Sequence, residues 1–529
     1  MEQPKLTRRG FLGATAATGA VAAMALAGCS SSGSSSSSAA SQSATPATTI
    51  YAAPAYQSTT VNPVGNSSAL MYAATLHVFE GLYDLDLHNY KTYKALAAED
   101  DPEKISDTEY QVTLRDGAKF SDGTDVTAAD VVASFEANMA NETYGAFLSF
   151  IEAVTAVDEK TVSITLKYPF ETLLKGRLAV VKVFPAALTP DQLDTAPIGS
   201  GPWKYDSVNG NDGGTITFKP NEYYNGSLPA TCEEMDWNIL LDSTSRTTAI
   251  TDGSVMAIEN VPDANAEQIA NSGATVEYVP GFALPFFMFN TKKAPFDDPR
   301  VRQAFFYAVD TQKLIDSQMA GHAAAATSFL PEAYENYHRA STVYEYDTEK
   351  AKSLLAEANQ ENLTCELMVN NNWVSSLAAQ IQQDLEAAGI TVTINETQIP
   401  WANLAPSESI LPYDVMLTPG DPSCFGNDPD LLMTWWYGDN VWTQGRSCWK
   451  GTPEWTQLQD LLQQAREEAD ASAQQEIWNQ CFDIIAENVP IYPLFHRETG
   501  TAYISEELED FAPISTTGLI FLGTTPLEK

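Results

Sequence analysis

Short runs of alternating apolar and polar residues are interleaved along the chain with runs of helical period. Tyr110, Val112 and Leu114 alternate with polar partners, as do Val162, Ile164 and Leu166. A period of two turns one face of each run toward a core, which predicts half-buried strands. Asp116-Gly117 and Asp122-Gly123 are turn signals. Thr127-Ala-Ala-Asp130 has the form of a capping box with Asp in place of Glu, and Val131, Val132, Phe135 and Met139 follow at helical spacing. Asp298-Pro299 opens a second helix, with Val301, Phe305, Ala308 and Val309 as its apolar stripe. Asp347 caps a third, carrying Ala351, Leu354, Leu355 and Ala358. Ile381, Leu385 and Ala388 line a fourth, which stops at Gly389 before a predicted strand at Ile390–Ile394. Such a mixture predicts an α/β fold with more than one sheet. No internal repeat and no second linker is visible, a pattern that domains built from non-contiguous segments would leave.

The first 49 residues differ from the rest. Thr7-Arg8-Arg9-Gly10-Phe11-Leu12 is a paired-arginine leader, followed by an Ala-rich apolar run from Gly13 to Leu26 and by Leu26-Ala27-Gly28-Cys29. The run is too short and too rich in Ala for a membrane span and reads as an export signal. The arginine pair followed by Phe and Leu resembles the twin-arginine export signal. Leu26 to Cys29 resembles the bacterial lipobox, which implies a lipid thioether on Cys29 and cleavage before it. Ser30 to about Thr49 is almost wholly Ser, Ala, Thr and Gly, with Gln42 and Pro46 and no large apolar residue, the composition of a flexible tether. The expected location is therefore extracytoplasmic, on a lipid anchor at the outer face of the cytoplasmic membrane.

Composition narrows the function. Among 529 residues, 69 are acidic and 29 basic, a formal charge of −40. A field of that sign repels phosphate, so no nucleic-acid partner is expected. The chain contains no G-x-S-x-G elbow, Walker-type loop, H-E-x-x-H or C-x-x-C. Gly199-Ser-Gly-Pro202 lacks the third glycine of a dinucleotide fingerprint and reads as a tight turn. His77, His88, His322, His338 and His496 are scattered, with no pair at helical i, i+4 spacing. No enzyme, cofactor or metal site is expected. Five cysteines remain besides Cys29. Cys424 and Cys448 flank a compact segment and are the favoured disulfide; the alternative is that all five are small buried hydrophobes.

Several stretches resemble one family, the extracytoplasmic solute-binding proteins of ABC importers in the group with oligopeptide-, dipeptide- and nickel-binding members. They are Leu114 to Phe135, Gly199-Ser-Gly-Pro-Trp203, Phe289-Asn-Thr291 with Pro295 to Ala304 and Ala308-Val-Asp310, Tyr346-Asp347 with Ala351 to Leu355, and Asn488 to Leu494. The resemblance implies a two-lobed, class II periplasmic-binding-protein-like fold with the ligand cleft between the lobes. One lobe would comprise 50–281 and 496–529, with an inserted subdomain near 77–194; the other would be 282–495. It implies a monomeric receptor that closes on a solute and presents it to an ABC permease with its ATPase subunits. The signature residues Asp116, Asp122, Arg300, Arg302 and Asp310 are expected to be structural.

The resemblance also points to the ligand. The facing segment would run from Tyr413-Asp414 through Asp421 to Asp428-Pro-Asp430. In peptide-binding relatives an acidic residue after a similar strand takes the peptide α-ammonium, and Asp421 matches that position. Relatives often carry Trp before it, where Thr418-Pro419-Gly420 stands here, and Thr418 and Gly420 join Asp421 as candidate ligand contacts. Trp435, Trp436 and Tyr437 are candidate pocket walls, as are Trp373, Trp401, Trp442 and Trp449, although core packing also suits each. Arg446 is a candidate for a ligand carboxylate, with a solvated surface position as its plainer alternative. Short peptides are the expected solute. Alternatives are a nickel chelate, a sugar or haem in the same role, and, remotely, an exported hydrolase or adhesin.

Overall fold

The computed structural model describes residues 46–65, 68–370, 373–397 and 413–528. The signal, the lipobox with Cys29, most of the tether and Trp401 lie outside these residues. Pro46 bridges to Leu527, and Thr49–Ala53 is already a strand. The tether is thus shorter than expected, because pairing of Thr49 with Glu234 draws its last residues into a sheet.

Among the described residues two large sheets dominate. The first runs, in spatial order, Thr275–Pro280, Phe495–Tyr503, Ala257–Glu259, Thr49–Ala53, Glu234–Asn238, Thr215–Pro220 and Trp203–Val208, with Ala323–Ala325 joined to Phe495–Tyr503. The second runs Thr391–Thr397, Thr364–Asn370, Val415–Gly420, Leu284–Phe289 and Ile491–Pro493. A smaller antiparallel sheet is built from Glu103–Ser106, Glu109–Thr113, Thr161–Leu166 and Ile151–Ala156. The chain passes from the first large sheet to the second between Pro280 and Leu284, and returns between Pro493 and Phe495.

The elements form for the reasons the sequence suggested. Val112 and Ile164 bury one face of the small sheet against Phe135 of Ala128–Met139. Asp130 accepts from the Thr127 backbone N–H at 2.8 Å, the reciprocal half of a capping box. Asp298, Asp310 and Asp347 each accept from a backbone N–H in the first turn of their helices. Arg302 is buried and donates to the carbonyls of Asn488 and Phe296, tying two distant segments together. The helix Ala378–Ala387 ends at Gly389, whose φ of +87° favours glycine.

Parallel strands in both large sheets place their C-terminal ends on common edges. Thr49–Ala53 lies parallel to Glu234–Asn238 and Ala257–Glu259, and Thr364–Asn370 lies parallel to Val415–Gly420. In open sheets with parallel strands, ligands bind outside such carboxyl ends. The residues that follow these strands, Tyr56, Asn260, Trp373 and Asp421, are therefore the first to consider.

The C-terminal segment is pinned by a buried histidine. His77 Nε2 accepts from the Phe521 N–H at 2.9 Å, and its Nδ1 donates to the Ala73 carbonyl at 2.8 Å. That pattern requires a neutral ring, and burial pushes the imidazole down to about 4. Its folded pKa lies below its unfolded one, so stability is complete above about pH 6.5 and is lost as pH falls toward 4. The loss amounts to ~3 kcal/mol by order of magnitude. Thermal midpoints measured from pH 7 to pH 4 are expected to fall less steeply in His77→Gln than in the parent protein.

Candidate ligand site

Asp421 follows the strand Val415–Gly420 and N-caps the turn Pro422–Phe425. Its Oδ1 accepts from the Ser423 N–H at 3.0 Å and the Ser423 hydroxyl at 2.6 Å. Ser423 Oγ in turn accepts from the Tyr90 hydroxyl at 3.1 Å, which lies 2.9 Å from Ser515 Oγ. The carboxylate is thus held by hydroxyls contributed from three distant parts of the chain. Its other oxygen, Oδ2, is out of contact with solvent and lacks a partner of hydrogen-bond geometry, with the Thr516 hydroxyl as a polar neighbour of the carboxyl. Burial pushes the carboxyl up to about 6, against the lowering effect of the Ser423 hydrogen bonds. A desolvated carboxylate with an open lone pair is suited to a cation that brings its own donors.

The neighbouring candidates separate into roles. Thr418 is fully buried, and its Oγ1 accepts from Asn370 Nδ2 at 3.1 Å, so its hydroxyl is used inside the sheet. Gly420 leaves room for Trp436: a Cβ there would stand 2.5 Å from the indole ring. Trp436 packs edge-on against Trp442 at 4.3 Å and Phe286 at 4.8 Å. Trp435 stacks on Phe147 at 5.8 Å with planes 16° apart, and Phe425 meets Tyr72 at 4.7 Å. These rings form one aromatic seam beside Asp421. Tyr437 stands apart in the core, donating its hydroxyl to the Ile491 carbonyl at 2.7 Å. Trp449 lies against Tyr437 and is likewise core. Arg446 is buried, not solvated, with its guanidinium 4.0 Å from the Trp442 ring centroid. Burial holds it down at about 9.

Two expectations are corrected. All five cysteines besides Cys29 are free thiols, so Cys424 and Cys448 are not joined. Cys424 lies beside Tyr72 and Asp421, whereas Cys448 lies beside Tyr413 with its thiol 3.6 Å from the Arg446 carbonyl. Asp428 and Asp430 do not continue the ligand-facing run. Arg177, 1% exposed, donates to both Asp428 oxygens at 2.7 and 3.0 Å and to Asp430 at 2.7 Å. Arg466 holds the second oxygen of Asp430 at 2.8 Å.

Other charged groups lie along the first large sheet without a sequence motif to announce them. Glu259 is buried and accepts from the N–H groups of Ala55 and Gly518. Arg497 donates to Asn260 Oδ1 at 2.7 Å and stacks 4.9 Å from the Trp373 ring centroid. Burial, with the Glu259 charge next, pushes the Tyr56 hydroxyl well above its usual range. Among the described residues no group of three or more His, Cys, Asp or Glu could hold a metal ion.

A family model, bacterial extracellular solute-binding proteins, family 5 (middle), matches residues 92–450. The chain belongs to this family. It is a solute-binding protein of the ABC-importer class, and its fold is the two-lobed α/β fold of periplasmic binding proteins. The glutathione-binding protein GsiB of Escherichia coli K12 is 26% identical over 495 residues, covering 88% of this chain and 91% of the relative. The structure of the periplasmic binding protein DppA from Helicobacter pylori with the peptide STSA superposes with a TM-score of 0.79. It is 19% identical and covers 92% of this chain and 99% of its own. The binding protein AgaA from A. tumefaciens R10 with agropinic acid gives a TM-score of 0.79 at 27% identity, covering 91% and 99%. The family consists of substrate-binding proteins rather than enzymes, and its members are extracytoplasmic. No helix among the described residues is long and apolar enough to cross a membrane.

Proposed function

We propose that this protein is the receptor for a short peptide, which it encloses between its lobes and delivers to an ABC-type permease. The observation that carries the reading is the Asp421 carboxylate, half-buried and fixed through one oxygen by Ser423, with its second oxygen out of solvent and lacking a partner of hydrogen-bond geometry. A peptide α-ammonium supplies the donors that this oxygen lacks, and burial makes the charge-assisted hydrogen bond strong. Glutathione and the peptide STSA in the names of two relatives agree with such a ligand. The leader and lipobox at Thr7–Leu12 and Leu26–Cys29 support twin-arginine export and a lipid anchor on Cys29. A monomer on a Ser-rich tether fits this role.

The test is native mass spectrometry of residues 30–529 purified from a peptide-rich medium, with fragmentation of whatever co-purifies. A ladder of short peptides is the expected result. A single non-peptide mass would keep the receptor and replace its ligand; turnover of bound peptide would overturn the receptor role. As a second readout, the Trp435, Trp436 and Trp442 cluster beside Asp421 should change its fluorescence when peptide is added.

A further inference from the structure

Tyr90 ends the turn between the strands Tyr83–Asp86 and Lys91–Lys94, and its φ of +55° lies in the left-handed region. A bulky residue is disfavoured there by its Cβ, so glycine or asparagine is the usual occupant. The side chain kept at this cost reaches out of its own hairpin. Its hydroxyl lies 2.9 Å from Ser515 Oγ and donates to Ser423 Oγ at 3.1 Å. Ser515 is itself fixed. Its carbonyl accepts from the Thr499 hydroxyl at 3.0 Å, and a Cβ at Gly281, in the crossover between the large sheets, would stand 1.9 Å from that same carbonyl. Tyr90 and Ser515 thus belong to chain outside the two crossovers, and Ser423 to chain between them.

The chain of hydroxyls has a direction. A carboxylate only accepts, so the Ser423 proton goes to Asp421 Oδ1 at 2.6 Å. Ser423 Oγ then has only lone pairs to offer on its other side, and the Tyr90 proton goes to them. The Tyr90 oxygen is left to accept from the Ser515 hydroxyl. Each donor polarises the next, and all lead to one carboxylate oxygen, which also accepts from the Ser423 N–H at 3.0 Å. We infer that Tyr90 is a positioning residue for ligand binding: its hydroxyl locks the Ser423 proton onto Asp421 Oδ1, which leaves Oδ2 as the oxygen that meets the cationic group of the ligand. This rests on the reading of Asp421 given above and deepens it. Without the Tyr90 proton the Ser423 hydroxyl is free to turn away, and the carboxylate loses both donor strength and a fixed orientation. Tyr56, Tyr90, Tyr334 and Cys424, the titratable groups within electrostatic reach of Asp421, are all pushed up by burial. Below pH 8 the carboxyl alone among them changes charge.

The experiment compares the parent protein, Tyr90→Phe, Ser423→Ala and the double variant, each as the intact protein. Melting midpoints are first followed from pH 4 to pH 8 without ligand, each against the same protein carrying Asp421→Asn. Loss of a donor to the charged form raises a carboxyl, so in Tyr90→Phe the fall in stability with rising pH should end about half a unit higher than in the parent. Calorimetric titration with trialanine then reads binding. Tyr90→Phe should bind about tenfold more weakly, and in the Ser423→Ala background the same change should cost less than about twofold. A Tyr90→Phe pH profile superimposable on the parent's overturns the inference. So does a loss of affinity that is the same with and without Ser423, since a merely structural tyrosine acts in either background. Failure of trialanine to bind the parent counts against the peptide reading alone, and the ligand-free profile still decides the role of Tyr90.

Discussion

Arg177→Met is expected to lower the thermal midpoint and to weaken ligand binding together. Arg177 belongs to the helix Glu171–Leu178, which follows the small antiparallel sheet, and its partners Asp428 and Asp430 open the helix Pro429–Tyr437 beyond the second large sheet. The pair joins two parts of the molecule that are far apart in sequence, with the arginine 1% and Asp430 3% exposed. Removing one partner of a buried ion pair leaves the other uncompensated, at a cost of about 3–5 kcal/mol. Arg466 still neutralises Asp430 here, so the low end of that range applies. Where this contact forms as the lobes close, its loss falls on the closed state. Apparent affinity then drops in proportion to the population of that state, by up to ~100-fold. Calorimetric Kd values and melting midpoints for Arg177→Met should move together, and adding Asp428→Asn should restore part of both. An unchanged Kd with a lowered midpoint would confine the pair to the stability of a permanently closed unit.

Asp421→Asn is expected to move two quantities in opposite directions. The Asp421 carboxyl has a folded pKa of about 6, above the ordinary 3.8, because burial disfavours its charge. A carboxyl whose pKa rises on folding binds more protons in the folded state. Stability of the empty protein therefore falls as pH rises from about 4 through 6, by roughly 3 kcal/mol as an order of magnitude. Asn has no charge to desolvate, so the variant should melt at a higher temperature at pH 7.5. Peptide binding needs the carboxylate, so the same variant should bind at least ten-fold more weakly, roughly 1.4 kcal/mol. In the parent protein affinity should fall as pH is lowered through about 6; in Asp421→Asn that dependence should vanish. Unchanged affinity would remove Asp421 from the site.

Local features were legible in the sequence. The Thr127 capping box, the Asp298, Asp310 and Asp347 caps and the strands around Val112 and Ile164 depend on residues close in sequence, and all are present. Asp421 was singled out by its resemblance to the acidic position of peptide-binding relatives, and it does follow a strand. Arg177, Arg497 and Tyr56 were not, since their roles are set by burial and by partners up to 253 positions away. Arg446 shows the same limit: composition favoured a solvated arginine, and the fold places it under Trp442. The cysteines illustrate another. Spacing suggested Cys424 with Cys448, but a disulfide requires Cβ atoms ~4 Å apart, which spacing alone does not determine.

The aromatic seam and the Arg177 pair involve neither Asp421 nor Arg497 directly. The contacts proposed to favour closure and the carboxylate proposed to meet the ligand are thus carried by different side chains. On that reading, a change of diet would need only the surroundings of Asp421 to be rewritten. The closing motion, and whatever docking face it creates for the transporter, could be inherited intact.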